Sequence, residues 1–173
     1  MPAIESFCDP NLRSPTYYVA HTNAACGDCG LSTRLLALAL PQTHETLEID
    51  RAGDEADSMD SMKDTWQHAH VDAFLFYVEQ LPRRVQHRLQ QMAPGFRRAQ
   101  SGAAQGAYWV NHCEHCGALL DDYELHCEPE GAFMPSSETE AAKIHLLRIH
   151  EPIEAVAAGY TPDPVFFDCM PAS

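Results

Sequence analysis

The 173-residue sequence predicts an α+β fold, in which a helical insertion interrupts two β-hairpins and a C-terminal helix follows them. Three observations support this class: short β-rich runs that end in turns, an amphipathic stretch between them, and a capped segment near the end. The composition, with 45% hydrophobic and 21% charged residues, is that of a globular protein. We therefore expect a single domain over residues 1–173, with the helical insertion at about 65–100.

The N-terminal part of the chain predicts a hairpin with a tight turn at its tip. Residues 16–21 are β-rich and lead into a Cys-Gly-Asp-Cys-Gly motif at residues 26–30, and residues 31–40 lead out of it. Residues 46–50 alternate with period two, which predicts a third strand. The acidic residues 51–63 that follow predict a loop.

Two helices are predicted within the insertion. The first begins near Thr65 or Trp66 and includes the apolar run of residues 73–78. The second begins at Pro82, because proline is favoured at the first position of a helix. Apolar residues spaced along one face of this second helix predict that it packs on the core: Val85, Leu89, Met92 and Phe96.

The second hairpin is predicted to mirror the first. Residues 101–106 are small and predict a linker, and residues 107–112 predict a strand that runs into a Cys-Glu-His-Cys-Gly motif at residues 113–117. Residues 121–126 predict the strand that returns from this turn.

The end of the chain predicts the C-terminal helix. Ser137 and Glu140 form a capping box, and the helix is expected to continue to about His150, before Pro152 ends it. Residues 153–158 predict a further turn.

Four of the seven cysteines form two identical Cys-x-x-Cys-Gly knuckles: Cys26, Cys29, Cys113 and Cys116. Two residues between the thiolates let one turn direct both sulfurs at a single ion, and the glycine that follows supplies a positive φ. Four thiolates about 2.3 Å from one ion complete its coordination, so the pattern predicts a closed, structural, zinc-ribbon-like site. The odd number of cysteines and the absence of a secretory pattern argue against a disulfide framework.

Two alternatives to a zinc site remain open. Rubredoxin-like iron uses the same paired knuckles. A thioredoxin-like redox pair would use Cys26 and Cys29 at the start of a helix.

His112 and His115 could replace a cysteine or hydrogen-bond to a sulfur, although we expect both to point outward. The remaining cysteines match no further knuckle and are expected to be ordinary thiols: Cys8, Cys127 and Cys169.

The charge of the chain limits its partners. There are 11 Lys and Arg against 25 Asp and Glu, a formal net charge of −14, which argues against nucleic-acid binding. The arginines of residues 83–98 form a locally positive stripe, either a solvated helix face or a docking surface for an acidic protein or RNA. No apolar run approaches the roughly 20 residues of a membrane span. We expect a soluble, cytoplasmic protein that does not contact a membrane.

The segment Tyr-Trp-Val-Asn-His at residues 108–112, followed by the second knuckle and Ala118, resembles a group of uncharacterised bacterial proteins. Their shared pattern is an early Cys-x-x-Cys-Gly and a later Tyr-Trp-x-Asn-x-Cys-x-x-Cys-Gly-Ala. The likeness covers residues 81–135 and 26–30, and it implies zinc binding by the four knuckle cysteines but no activity. We expect Asn111 to cap the knuckle turn, with Tyr108 and Trp109 around the metal.

The leading functional hypothesis is a non-enzymatic, zinc-stabilised binding or adaptor protein whose partner is another protein. It predicts cooperative loss of the fold when the ion is chelated. The competing class is an enzyme or a thiol redox protein. We lean away from an enzyme because the sequence has no nucleophile–base pair, carboxylate dyad, Walker loop or His-Glu-x-x-His motif.

Overall fold

A computed structural model describes residues 9–48, 65–100 and 106–173 of the chain. Within these ranges the protein is mostly antiparallel β-sheet with few helices. The strands are β1 (Leu12–Ser14), β2 (Tyr17–Ala25), β3 (Ser32–Leu40), β4 (Glu45–Glu48), β5 (Thr65–His68), β6 (Ala73–Gln80), β7 (Arg97–Gln100), β8 (Ala107–His112), β9 (Leu119–Leu120), β10 (His145–Ile149) and β11 (Ile153–Pro162). The helices are α1 (Arg83–Met92), α2 (Asp122–His126) and α3 (Glu138–Ala141), and a 3-10 turn follows at Phe167–Cys169.

The eleven strands form one connected sheet in the order β10-β2-β3-β6-β11-β1-β4-β5, with β8 branching from β6 and pairing with β7 and β9. Strand β3 lies near the centre, and residues 35–40 are buried on both of its faces. A strand that is covered on both faces has a continuous apolar sequence rather than an alternating one. Two hydrophobic cores result, one on each face of the sheet, and α1 covers the first of them with Val85 and Leu89.

The prediction of a helix that begins near Thr65 or Trp66 is wrong. This segment forms β5 and β6, and the predicted helical insertion at about 65–100 therefore contains one helix, α1. The run at residues 73–78 is ambiguous in sequence, because a short apolar run fits a buried helix and a buried strand equally well. The second predicted helix is confirmed: it starts directly after Pro82 and ends before the Pro94-Gly95 turn.

The predicted C-terminal helix is also wrong beyond its first turn. The cap exists, since the Ser137 hydroxyl oxygen accepts the Glu140 N–H at 3.2 Å, but α3 ends at Ala141. The chain then forms β10, which pairs with β2. The turn expected at residues 153–158 is wrong as well, because these residues begin strand β11, in which buried and exposed residues alternate. That period of two is itself a strand signal.

The hairpin strands themselves are confirmed by β2, β3 and β8. The returning strand of the second hairpin is β9 rather than residues 121–126. These residues instead begin helix α2, because the Asp121 carboxylate accepts the Tyr123 N–H at 2.9 Å and caps the helix. The predicted third strand corresponds to β4, whereas the acidic loop at residues 51–63 and most of the linker at residues 101–106 lie outside the described residues. No helix in the described ranges is long and apolar enough to cross a membrane.

Candidate metal centre

The first knuckle is the tip of the β2–β3 hairpin. The Gly30 N–H donates to the Cys26 carbonyl at 2.8 Å, and the Cys26 N–H donates to the Leu31 carbonyl at 2.9 Å. These bonds close the turn only if Gly30 adopts a left-handed conformation, and its φ is 73°. A Cβ at this position would meet nothing within 4 Å, so the backbone conformation rather than space requires glycine.

The second knuckle, between β8 and β9, repeats this geometry. The Gly117 N–H donates to the Cys113 carbonyl at 3.0 Å, the Cys113 N–H donates to the Ala118 carbonyl at 2.9 Å, and the φ of Gly117 is 75°. The two motifs therefore form the same hydrogen-bonded turn, as their shared spacing predicts.

The fold brings the four predicted cysteines together. Their sulfur atoms all lie within 4.8 Å of one another. The Cys26 Sγ is 3.7 Å from the Cys116 Sγ, and the Cys29 Sγ is 3.7 Å from the Cys113 Sγ. A disulfide would require about 2.05 Å. Four sulfurs arranged tetrahedrally about 2.3 Å from one ion would lie about 3.8 Å apart, which the two 3.7 Å separations match. This four-cysteine cluster could hold a metal ion.

The burial of the sulfurs is uneven in the same way in both knuckles. Cys26 and Cys113 are 2% and 3% exposed, whereas Cys29 and Cys116 are exposed to solvent. The backbone N–H groups of Cys116 and His115 lower the pKa of the Cys113 thiol to about 6. The Ala118 N–H lowers the pKa of Cys116, but burial and the neighbouring thiols outweigh it and raise that pKa to about 12. Four neighbouring thiolates would repel one another, so some of the thiols keep their protons. A divalent cation would therefore displace protons on binding.

Neither candidate histidine belongs to the sulfur cluster. The His112 ring is buried, and its Nδ1 lies 3.1 Å from the Gly95 carbonyl oxygen, so the expectation that it points outward is wrong. The His115 ring is exposed as expected, with Nε2 2.9 Å from the Ser32 carbonyl oxygen. The His115 backbone N–H points at the Cys113 Sγ at 3.4 Å, so this residue does donate to a sulfur.

The other cysteines lie apart from the cluster in the described part of the chain. Cys127 and Cys169 are half-buried and contribute no sulfur to it, as the sequence predicts, and Cys8 is outside the described residues.

Asn111 has a different role from the predicted cap. Its side chain bonds to the backbone of Leu36 on β3, with the Leu36 N–H donating to Oδ1 and Nδ2 donating to the Leu36 carbonyl, both at 2.9 Å. The neighbouring aromatic residues make their contacts in the core: Tyr108 donates to the Asp121 carboxylate at 3.1 Å, and Trp109 stacks on Phe96. Asn111 therefore connects the second hairpin to the first.

A further cross-link was not predicted. The Thr33 hydroxyl oxygen accepts the backbone N–H of Glu114, inside the second knuckle, at 3.0 Å. A single threonine in a strand gives no sequence signal for such a role, because its partner is far along the chain.

The arginine stripe of residues 83–98 is partly neutralised. Arg88 forms two hydrogen bonds with the Glu151 carboxylate, at 2.9 and 3.0 Å, and donates to the Tyr17 hydroxyl at 2.7 Å. The Arg84 Nε also lies 3.9 Å from the Glu151 Oε2. These contacts match the predicted pairing with acidic residues for the arginines of α1. The stripe is not one helix face, however, because Arg97 and Arg98 lie on strand β7. Four of its arginines are exposed: Arg83, Arg84, Arg97 and Arg98.

Helix α2 buries two titratable side chains away from the sulfurs. Asp122 accepts the Tyr77 N–H at 2.7 Å, and burial raises the pKa of its carboxyl group to about 7. His126 stacks on Phe76 and Phe133, and burial lowers its pKa to about 3. Both side chains belong to the packed interior and lie apart from the four-cysteine cluster.

Comparison of the chain with protein-family models, with curated proteins and with solved structures finds no match in any of the three. The resemblance to the bacterial group with paired knuckles stays a prediction, and the assignment of the site depends on its geometry.

Proposed function

We propose that Cys26, Cys29, Cys113 and Cys116 bind one zinc ion in a closed structural site that joins the two hairpins. The observation that carries this proposal is the sulfur arrangement, since the 3.7 Å separations suit one tetrahedral ion. Four thiolates leave no coordination position for a substrate or an activated water molecule. Iron would fit the same ligands and is the alternative ion.

The protein around this site is proposed to be a non-enzymatic protein-binding or adaptor module. A closed ion supplies rigidity rather than chemistry, and Leu31, directly after the first knuckle, leaves 52% of its surface exposed. The net charge of −14 favours a partner protein with a basic surface and opposes association with nucleic acid.

The geometry gives less support to a thiol redox role for Cys26 and Cys29. The reactive cysteine of such a pair is accessible and lies at the N-terminus of a helix, which stabilises its thiolate. Here Cys26 is almost fully buried, and the knuckle continues into strand β3.

The metal site is tested by elemental analysis of the natively purified protein, combined with a count of reactive thiols before and after denaturation. We expect one zinc ion per chain and four thiols that react only after denaturation. Cys29→Ser should remove the ion, whereas the matched control Cys127→Ser should retain it. A metal-free native protein with a reactive Cys29 would contradict the proposal, and one iron ion per chain would replace zinc in it.

The binding role is tested with Leu31→Asp, which places a charge on the exposed surface beside the centre. Val165→Asp is the matched control, because Val165 is exposed in the turn after β11. We expect the zinc-loaded wild type and Val165→Asp to capture the same basic partner protein, and Leu31→Asp to lose this partner. Added salt should weaken the capture. Equal capture by both variants would show that this surface is not the binding site.

A further inference from the structure

The two knuckles are anchored to the sheet in different ways. The first is the tip of a hairpin whose nine-residue strands pair along most of their length, near the centre of the sheet. The second is followed by β9, which has only two residues, and β8 pairs with β6 at a single position, Val78 opposite Trp109. Backbone pairing to the central strands therefore does little to hold the second knuckle beside the first.

Side-chain bonds to β3 fill this gap. Asn111 is 1% exposed, and its amide makes two bonds to the backbone of Leu36. This pair of bonds reproduces the donor and acceptor pattern that a neighbouring strand would offer, at a point where the backbones of β8 and β3 are not paired. The amide therefore sets the separation of the two strands just before Cys113.

The second bond links the ligand loops themselves. Thr33 is 1% exposed and lies four residues after Cys29, while Glu114 lies between Cys113 and Cys116. The hydrogen bond from the Glu114 N–H to the Thr33 hydroxyl oxygen thus fixes one ligand-bearing turn against the strand that carries the other. The contact between His115 and the Ser32 carbonyl adds to it on the exposed side.

We propose that Asn111 and Thr33 are positioning residues that hold the two knuckles at the metal-binding distance before the ion arrives. The bonds they form join protein groups and include no sulfur atom, so they form without the ion. A preformed site does not require the ion to order two separate hairpins, and this raises its affinity. The inference rests on the proposed zinc site and adds how the chain assembles it.

The test is a Co2+ titration of the metal-free protein, followed through the visible absorption that tetrahedral thiolate coordination gives to Co2+. Thr33→Val keeps the shape of the side chain and removes the acceptor for the Glu114 N–H. We expect its Co2+ affinity to fall about fivefold to tenfold, because the Glu114 N–H loses its acceptor. Asn111→Leu, which removes two bonds, should lose at least tenfold.

Thr22→Val is the matched control. Thr22 is also a buried strand threonine, but its hydroxyl donates to the Lys143 carbonyl at 3.1 Å and links no knuckle. This variant should lower the melting temperature while leaving the Co2+ affinity unchanged. Thr33→Ser, which keeps the hydroxyl, should bind Co2+ as tightly as the wild type. If Thr33→Val does not fold, the Co2+ affinities of Thr33→Ser and Thr33→Ala are compared instead.

The outcomes separate the two proposals. If Thr33→Val and Asn111→Leu bind Co2+ as tightly as the wild type, the positioning role is overturned and the zinc site stands. If the wild-type protein gives no tetrahedral Co2+ spectrum, the zinc site fails and the positioning role fails with it. A loss of affinity in the Thr33 and Asn111 variants, with an unchanged Thr22→Val, supports the inference.

Discussion

Buried polar residues show most clearly how much a side chain's role depends on partners that are distant in sequence. The sequence predicts Asn111 as a local cap and His112 as an outward-facing ring. In the structure Asn111 bonds to Leu36 and the His112 ring bonds to the Gly95 carbonyl. Thr33, for which the sequence predicts no role, accepts a bond from the second knuckle. Each side chain bonds to a backbone group of another segment, and only the tertiary structure brings that group within reach.

Asp122 gives a prediction at this scale. Its folded-state pKa of about 7 lies above the unfolded value of about 3.9, so the folded protein holds this proton more tightly. The stability contribution is therefore largest at low pH and is lost as the pH rises from about 4 through 7. An asparagine side chain cannot ionise, and its amide oxygen can still accept the Tyr77 N–H. Between pH 5 and pH 8 the wild type should therefore lose about 2–3 kcal/mol of unfolding free energy that Asp122→Asn keeps.

The measurement is urea unfolding of both proteins at the two pH values. Glu128→Gln is the control, because it removes an exposed carboxylate just beyond the same helix and should change little with pH. His126 is present in every variant, so its opposite effect cancels: its lowered pKa costs stability as the pH falls from about 6.5 towards 3. A constant difference between Asp122→Asn and the wild type would show that the buried carboxyl does not titrate as described.

At the scale of elements, the prediction succeeds where local chemistry decides and fails where burial decides. Helix α1 has a proline start and one apolar face, which no strand arrangement would satisfy, and it forms where expected. Strand β6 is apolar along most of its length because it lies between other strands with both faces covered. The sequence of β6 alone cannot separate this case from a buried helix.

The capping box near Ser137 illustrates the same limit. The cap forms, but it stabilises only one turn, α3, because the following residues gain more by pairing with β2 as strand β10. A cap contributes about 1 kcal/mol, whereas a paired strand satisfies a row of backbone groups and buries Leu146 in the core. Local start signals therefore predict where a helix begins but not how far it extends.

At the scale of the whole molecule, the four-cysteine cluster lies at the tips of the hairpins, and the two cores occupy the faces of the sheet. Neither core includes any of the four knuckle cysteines. The sequence alone favours cooperative loss of the fold on chelation, as in small domains that the ion itself folds. The structure leads us to a different expectation, because a chain of this length has cores of its own.

We expect chelation to lower the melting temperature by roughly 10 °C or more without abolishing the sheet at 25 °C, because the ion stabilises only the folded state. Circular dichroism of the protein before and after removal of the ion measures both effects. Cys29→Ser is the control, since a chelator should not change a protein that cannot hold the ion. Loss of the β-sheet signal at 25 °C on chelation would return the ion to the role of folding the chain.

The sequence by itself determined which four cysteines form the cluster and which turn each knuckle adopts. Spacing and glycine conformation act within five residues, so no distant contact is needed to define the turn. It also determined the start of α1 and the hairpin strands β2, β3 and β8. The tertiary structure alone decided which apolar runs became strands, how the two knuckles meet, and which side chains hold them. These outcomes depend on what covers each face and on which distant backbone group each polar side chain can reach, and neither is encoded in a local pattern.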